Sequence, residues 1–137
     1  MNMKYLLDTH ILLWYIEDSK KLPEKARAII DDEENEVYYS IVSIWEAEIK
    51  RLKHPDKIIS LSTEELTELC YDTGLEKLPL SEAHISMLKT LSRSADAKPH
   101  NDPFDRILIS QAKSENMIFL THDDLLTCYN EDCIIYV

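Results

Sequence analysis

The sequence predicts an α/β fold, in which short apolar strands alternate with helices to form a mostly parallel sheet covered on both faces. Two observations carry this reading. Brief apolar runs alternate with stretches of helical period along the chain, a rhythm that parallel sheets need and antiparallel meanders do not. The first such run, Met3-Lys4-Tyr5-Leu6-Leu7, is too apolar at its end to have a solvated face, as expected of a central strand. At 137 residues the chain suits one domain, 1–137, with a core large enough to need no staples.

The elements follow in order. After Asp8, Ile11 to Ile16 reads as a helix apolar all round, which must be covered on more than one side. Pro23 sits at the first turn of a helix ending near Asp31–Glu34, with Ala26, Ile29 and Ile30 inward. Val37 to Ile41 is the second strand. Ser43-Ile44-Trp45-Glu46 reads as a capping box opening a helix whose Trp45, Ile49 and Leu52 share one face. Ser62-Thr63-Glu64-Glu65 opens another, which stops near Gly74. Leu75 to Leu80 is a third, weaker strand, and Ser81 caps a helix carrying Ala83, Ile85, Leu88 and Leu91. Residues 92–101 form a polar, mobile loop. Pro103 begins a helix through Ala112; Met117 to Leu120 and Cys133 to Val137 are the last strands.

Composition excludes several function classes. Gly74 is the only glycine, whereas a phosphate-cradling P-loop, a dinucleotide-binding turn and a G-x-S-x-G nucleophile elbow each need two or more. Fifteen Lys and Arg against 26 Asp and Glu give a formal charge of −11, so nucleic acid is not bound by net charge alone and would require metal ions or a local basic patch. Cys70, Cys128 and Cys133 form no C-x-x-C pair, which points away from zinc and disulfides and toward a reducing cytoplasm. No apolar run reaches membrane-spanning length, and the N-terminus has no secretory pattern. The expectation is a cytoplasmic protein without a membrane partner.

The acidic residues carry the chemistry. In parallel sheets, sites collect beyond the carboxyl ends of the strands. Asp8 follows the first strand, Asp123 follows the Met117–Leu120 strand, and Glu46 and Asp105 open helices. Asp105 shares a helical face with the apolar Leu108, Ile109 and Ala112, and a carboxylate on a core-facing stripe is costly unless something positive offsets it. Asp102, one turn earlier, only adds repulsion. A hard divalent cation, Mg²⁺ or Mn²⁺, resolves the conflict. Each acid also has a structural reading: Asp8 and Asp123 as helix caps, Glu46 as the partner of Ser43. Glu48 competes with Glu46, since periodicity does not separate the two.

The segments Leu6-Leu7-Asp8-Thr9-His10-Ile11-Leu12-Leu13-Trp14, Ser43-Ile44-Trp45-Glu46, Asp102-Pro103-Phe104-Asp105-Arg106 with Ile107 to Ala112, and Thr121-His122-Asp123 resemble the signatures of PIN domains, and specifically the toxin nucleases of bacterial VapBC toxin–antitoxin pairs. The resemblance runs from residue 3 to 137. It implies a three-layer α/β/α sandwich with about five parallel strands, and a Mg²⁺- or Mn²⁺-dependent ribonuclease that leaves 5′-phosphate and 3′-hydroxyl ends. Asp8, Glu46, Asp105 and Asp123 match the family's metal-site acids, Asp102 matches an additional acid, and Thr9 matches a supporting hydroxyl. No histidine base is required, and His10, His100 and His122 lack metal-ligand spacing.

Two basic clusters, Lys50, Arg51, Lys53 and His54, and Arg93, Lys98, His100 and Arg106, are the candidate RNA-backbone contacts. Each can equally be a solvated face, and Arg106 can pair with a neighbouring acid. Competing functions are a receiver-type phosphoacceptor domain, which lacks its acidic pair and lysine here, and a PIN-like module without catalysis, which should lack an acid. The apolar Ile11–Ile16 segment suggests an exposed patch for a homodimer, and the resemblance adds an antitoxin whose Arg or Lys would enter the acidic site.

Overall fold

A computed structural model describes residues 3–55 and 61–137. The chain runs β1 (Lys4–Leu7), α1 (Thr9–Ile16), α2 (Glu24–Asp31), β2 (Glu36–Ser40), α3 (Ile41–Lys53), α4 (Thr63–Asp72), β3 (Glu76–Leu78), α5 (Glu82–Ser86), α6 (Pro103–Glu115), β4 (Ile118–Thr121) and β5 (Ile134–Tyr136). The five strands form one sheet in the order β3-β2-β1-β4-β5, and every pair is parallel. The predicted α/β architecture is therefore the observed one.

Alternation within strands builds the layers. Leu7 and Leu120 pack with Ile11, Leu12, Ala26, Ile30, Leu66 and Cys70 on the face covered by α1, α2 and α4. Leu6 and Phe119 point the other way, into Ile107, Leu108, Ile109 and Ala112 of α6. Each of the two central strands is thus buried on both sides, as a parallel sheet requires. The chain leaves β1 toward β2 and β3, then crosses to β4 and β5. That reversal opens a crevice between the carboxyl ends of β1 and β4, where ligands of such sheets bind.

Caps fix the element ends. Ser62 and Glu65 form a capping box at the predicted start of α4. Gly74 adopts φ 84° after that helix, with Gly74 N–H on Tyr71 O and Leu75 N–H on Cys70 O. This Schellman turn wants a residue free to enter the left-handed region, and the only glycine stands there.

Four expectations need correction. Helix α3 begins at Ile41, because Ser40 is its cap and accepts from Val42 N–H; Ser43 and Glu46 form no capping box. Consequently Val42, Ser43, Ile44 and Glu46 face inward, while Trp45 and Leu52 are 59% and 67% exposed. In α5 the buried residue is His84 and Ile85 lies outside. His84 Nδ1 accepts from Ser81 N–H, so His84 fills the capping-box position usually held by Glu, and its Nε2 meets Glu115 Oε2 at 2.7 Å. The 92–101 loop is tethered: Arg93 donates to the carbonyls of Leu125 and Lys98, and Ser94 N–H to Cys128 O. Finally, Ile11 and Leu12 are fully buried, and Leu13 to Ile16 are partly buried against the α1–α2–α4 core, which narrows the expected α1 patch to that second half of the segment.

Candidate active site

The site stands at the sheet's topological switch. Asp8 ends β1 and caps α1, its Oδ1 accepting from Thr9 N–H at 2.8 Å. Its Oδ2 accepts from Thr121 Oγ1 at 2.7 Å, and Thr121 Oγ1 in turn accepts from Asp123 N–H at 3.0 Å. The ends of β1 and β4 are thereby locked together through one hydroxyl. Burial pushes the Asp8 carboxyl up; the Thr121 and Thr9 hydrogen bonds oppose it.

Thr9 performs a second coupling. Its hydroxyl lies 2.7 Å from Glu46 Oε1 and 2.9 Å from Ser43 Oγ, so α3 is tied to the first residue of α1. Glu46 Oε2 meets Lys50 Nζ at 3.1 Å. Glu48 points elsewhere: it binds Arg51 at 2.6 Å and accepts from Thr63 Oγ1, bracing α3 against α4. The ambiguity between the two glutamates is thus resolved in position by the helix register.

Asp105 projects from the first turn of α6 on the face of the fully buried Leu108, Ile109 and Ala112. Its carboxyl is pushed up to about 8, chiefly by burial and then by the charges of Asp8, Asp102, Glu46 and Asp123. The charges of Asp8, Glu46 and Asp123, from three other segments, and of Asp102 at the same helix end therefore all reach Asp105. Asp102 spends Oδ1 capping α6, accepting from Phe104 and Asp105 N–H. Asp123 likewise accepts from Leu125 N–H, so its cap reading holds, and its charge also reaches Asp105.

His100 lacks metal-ligand spacing in the sequence, and it takes a structural role: its Nε2 lies 3.1 Å from Asp105 Oδ2 and its Nδ1 2.8 Å from Tyr129 OH. Burial and the nearby Arg93 hold its pKa below the ordinary histidine value. Arg93 lies over the Tyr129 ring at 4.7 Å, and Arg106 donates to Tyr129 OH at 3.3 Å. The second basic cluster thus braces the wall behind Asp105 instead of forming an open face; Lys98 is its exposed member. In the first cluster Lys50 and Arg51 are paired with Glu46 and Glu48, and Lys53 and His54 are exposed.

Sequence reasoning missed Ser43 and Thr121 as supports. Ser43 sits three residues before Glu46 on one helical face, a spacing that marks them as neighbours once the helix start is known. The donor set is entirely carboxylate and hydroxyl oxygen, which suits a hard divalent ion. Among the described residues, however, no three His, Cys, Asp or Glu side chains are closed around a single point as they stand.

Comparison with known proteins places this geometry. The family model of the PIN domain matches residues 5–127. The chain belongs to the PIN-domain family. PIN domains are generally nucleases that use divalent metal ions, so the chemistry class is hydrolysis of nucleic acid. The PIN fold here is similar to VapBC2 from Rickettsia felis bound to a DNA fragment from its promoter, with 16% identity, 98% of each chain covered and a TM-score of 0.62. It is similar to a toxin–antitoxin complex from Klebsiella pneumoniae, at 13% identity, 96% of this chain and 95% of that one, and TM-score 0.62. VapBC-1 from nontypeable Haemophilus influenzae matches at 16% identity, over 98% and 97%, with TM-score 0.57. No curated protein sequence matches the chain. No described helix of this PIN domain is long and apolar enough to cross a membrane.

Proposed function

We propose that this PIN domain is a Mg²⁺- or Mn²⁺-dependent endoribonuclease, acting in the cytoplasm as the toxin of a VapBC-type toxin–antitoxin pair. The observation that carries the reading is the convergence on Asp105 of the charges of Asp8, Glu46, Asp102 and Asp123 at the β1–β4 crevice. Such crowding raises the energy of the metal-free site, and a divalent cation relieves it.

Asp8, Glu46, Asp105 and Asp123 are the residues that would hold the ion, with Asp102 at the rim. A bound ion would supply positive charge against the phosphate oxygens and lower the pKa of a water for in-line hydrolysis of the phosphodiester, which would leave 5′-phosphate and 3′-hydroxyl ends. The chain's own contribution is orientation. Thr121 and the Thr9 amide fix both oxygens of Asp8, and the Thr9 hydroxyl fixes Oε1 of Glu46. Lys50 compensates Glu46 from the α3 side. Lys53 and Lys98, exposed at the two clusters, are the basic side chains open to RNA phosphates; Arg51, Arg93 and Arg106 would have to give up the contacts described above.

The test is a digest of total RNA with and without EDTA, its products mapped by end sequencing. Cleavage that EDTA abolishes and Mn²⁺ restores supports the reading; metal-independent cleavage or none overturns it. Two partners belong to the same reading. An antitoxin would place an Arg or Lys among the acids, so inhibition should weaken when that residue is replaced. A homodimer would draw on the partly covered Leu13 to Ile16 of α1, and Trp45 and Leu52 on the outer face of α3 offer further apolar surface. Light scattering that shows a monomer at tens of micromolar would remove the dimer from the reading.

A further inference from the structure

Beside the acidic cluster a cleft of 280 Å³ is lined by Asp8, His10, Trp14, His122, Asp123 and Asp124. Two of these are acids of the cluster, and three of the remaining walls are aromatic. His10 and Trp14, one helical turn apart on α1, have ring centroids 5.7 Å apart at 30°. Trp14 meets His122 edge-on at 5.9 Å, and His122 stacks on Tyr136 of β5 at 5.1 Å. The carbonyl of Val137 can only accept, so the His122 Nδ1 facing it carries the hydrogen, which fixes that ring. Rings from α1, the β4 exit and β5 therefore form one preorganised wall that ends at Asp8 and Asp123.

We propose that this cleft is a base-stacking subsite, holding an unpaired nucleobase of the nucleic-acid strand whose phosphodiester lies at the acids. The proposal rests on the nuclease reading and adds where the substrate's base goes. Carboxylates on the walls repel a phosphate, so the group that enters must be neutral or cationic and flat. A nucleobase meets both conditions: it stacks on aromatic rings whatever its identity. Its N–H groups can also donate to Asp124, whose carboxylate has acceptors only. An arginine side chain from a protein partner has similar chemistry. The nucleobase is favoured because the cleft shares Asp8 and Asp123 with the reaction centre, so a nucleotide whose phosphate is there has its base within reach of Trp14. The subsite accepts single strands, since a paired base cannot leave its stack to enter.

The chain has two tryptophans, and Trp45 lies on α3 outside the cleft, packed edge-on against Phe104 at 4.9 Å. Trp45→Phe thus leaves Trp14 as the sole reporter, and Glu46→Gln in the same protein prevents turnover. A short single-stranded oligoribonucleotide, titrated in Mg²⁺, should quench Trp14 fluorescence saturably, while an abasic oligomer of equal length should not. By anisotropy of a labelled oligonucleotide, Trp14→Ala should weaken binding about 5- to 100-fold and Trp14→Phe should restore most of it. His122→Ala, at an exposed position, gives a second variant should Trp14→Ala unfold, with weakening expected in the same sense. Equal quenching by the abasic oligomer, binding without quenching, or no binding would each overturn the subsite, as would quenching by an arginine-rich peptide alone. Cleavage by the parent protein is measured alongside. Cleavage without quenching defeats the subsite only; quenching without cleavage defeats the nuclease reading only.

Discussion

The hydroxyl of Thr9 stands 2.7 Å from Glu46 Oε1, joining the start of α1 to the second turn of α3 across the mouth of the sheet. A hydroxyl has one proton, so the carboxylate receives it and Ser43 donates back. Thr9→Val keeps the shape and removes the donor from a buried carboxylate. We expect a loss of about 1–3 kcal/mol in stability and a fall of about 10- to 100-fold in activity. Thr9→Ser should restore most of both. Urea unfolding and nuclease assays at equal folded fraction read the outcome, and an unaltered Thr9→Val enzyme would remove Thr9 from the site.

Glu46 and Glu48 should separate cleanly. Glu46→Gln is expected to abolish nuclease activity, whereas Glu48→Gln, whose carboxylate serves Arg51 and Thr63, should leave it nearly intact. Since Ser40 rather than Ser43 caps α3, any stability change in Glu46→Gln comes from the charge cluster and not from a broken cap. Equal loss in the two variants would contradict the register of α3.

Metal should stabilise the folded state. An ion that binds only the native cluster raises the melting temperature by mass action. We expect millimolar Mn²⁺ to raise it by several degrees in the parent protein, and by much less in Asp105→Asn. A melting temperature indifferent to Mn²⁺ in the parent would count against a shared site.

The same cluster sets a pH dependence in metal-free protein. Asp105 titrates near 3.8 when unfolded and at about 8 when folded. Between those values the folded state binds more protons, so stability falls as pH rises. The contribution is complete below the lower value and lost once pH passes the upper one. His100, held below its ordinary value, acts in the opposite sense around its own lower range. In EDTA, Asp105→Asn should gain on the order of 1–3 kcal/mol relative to the parent between pH 5 and pH 8. Denaturant melts at the two pH values check this, and parallel curves would show that Asp105 is not buried with its neighbours.

The primary sequence by itself determined the strands and their parallel pairing, and it singled out the acids proposed for the site. Each rests on local chemistry: an apolar run too uniform for a solvated face at Leu6-Leu7, a carboxylate inside the Leu108-Ile109-Ala112 stripe, a lone glycine where a helix must turn. Those signals lie within a few residues of the feature they specify. The start of α3 did not, because two serines three residues apart are both competent caps. Packing chose Ser40, whose hydroxyl also donates to Gln111 Oε1 on α6. That choice turned Trp45 and Leu52 outward and Glu46 inward. Tertiary structure also decided the fate of the arginines and histidines, whose long or amphipathic side chains carry no period of their own. Arg93 and Arg106 went to Tyr129, His100 to Asp105, and His10 and His122 to the rings around Trp14. Apart from the local pairs His10–Trp14 and His100–Asp105, these depend on which segments the sheet order brings together at one edge, and pairings between residues distant in sequence leave no mark on either segment alone.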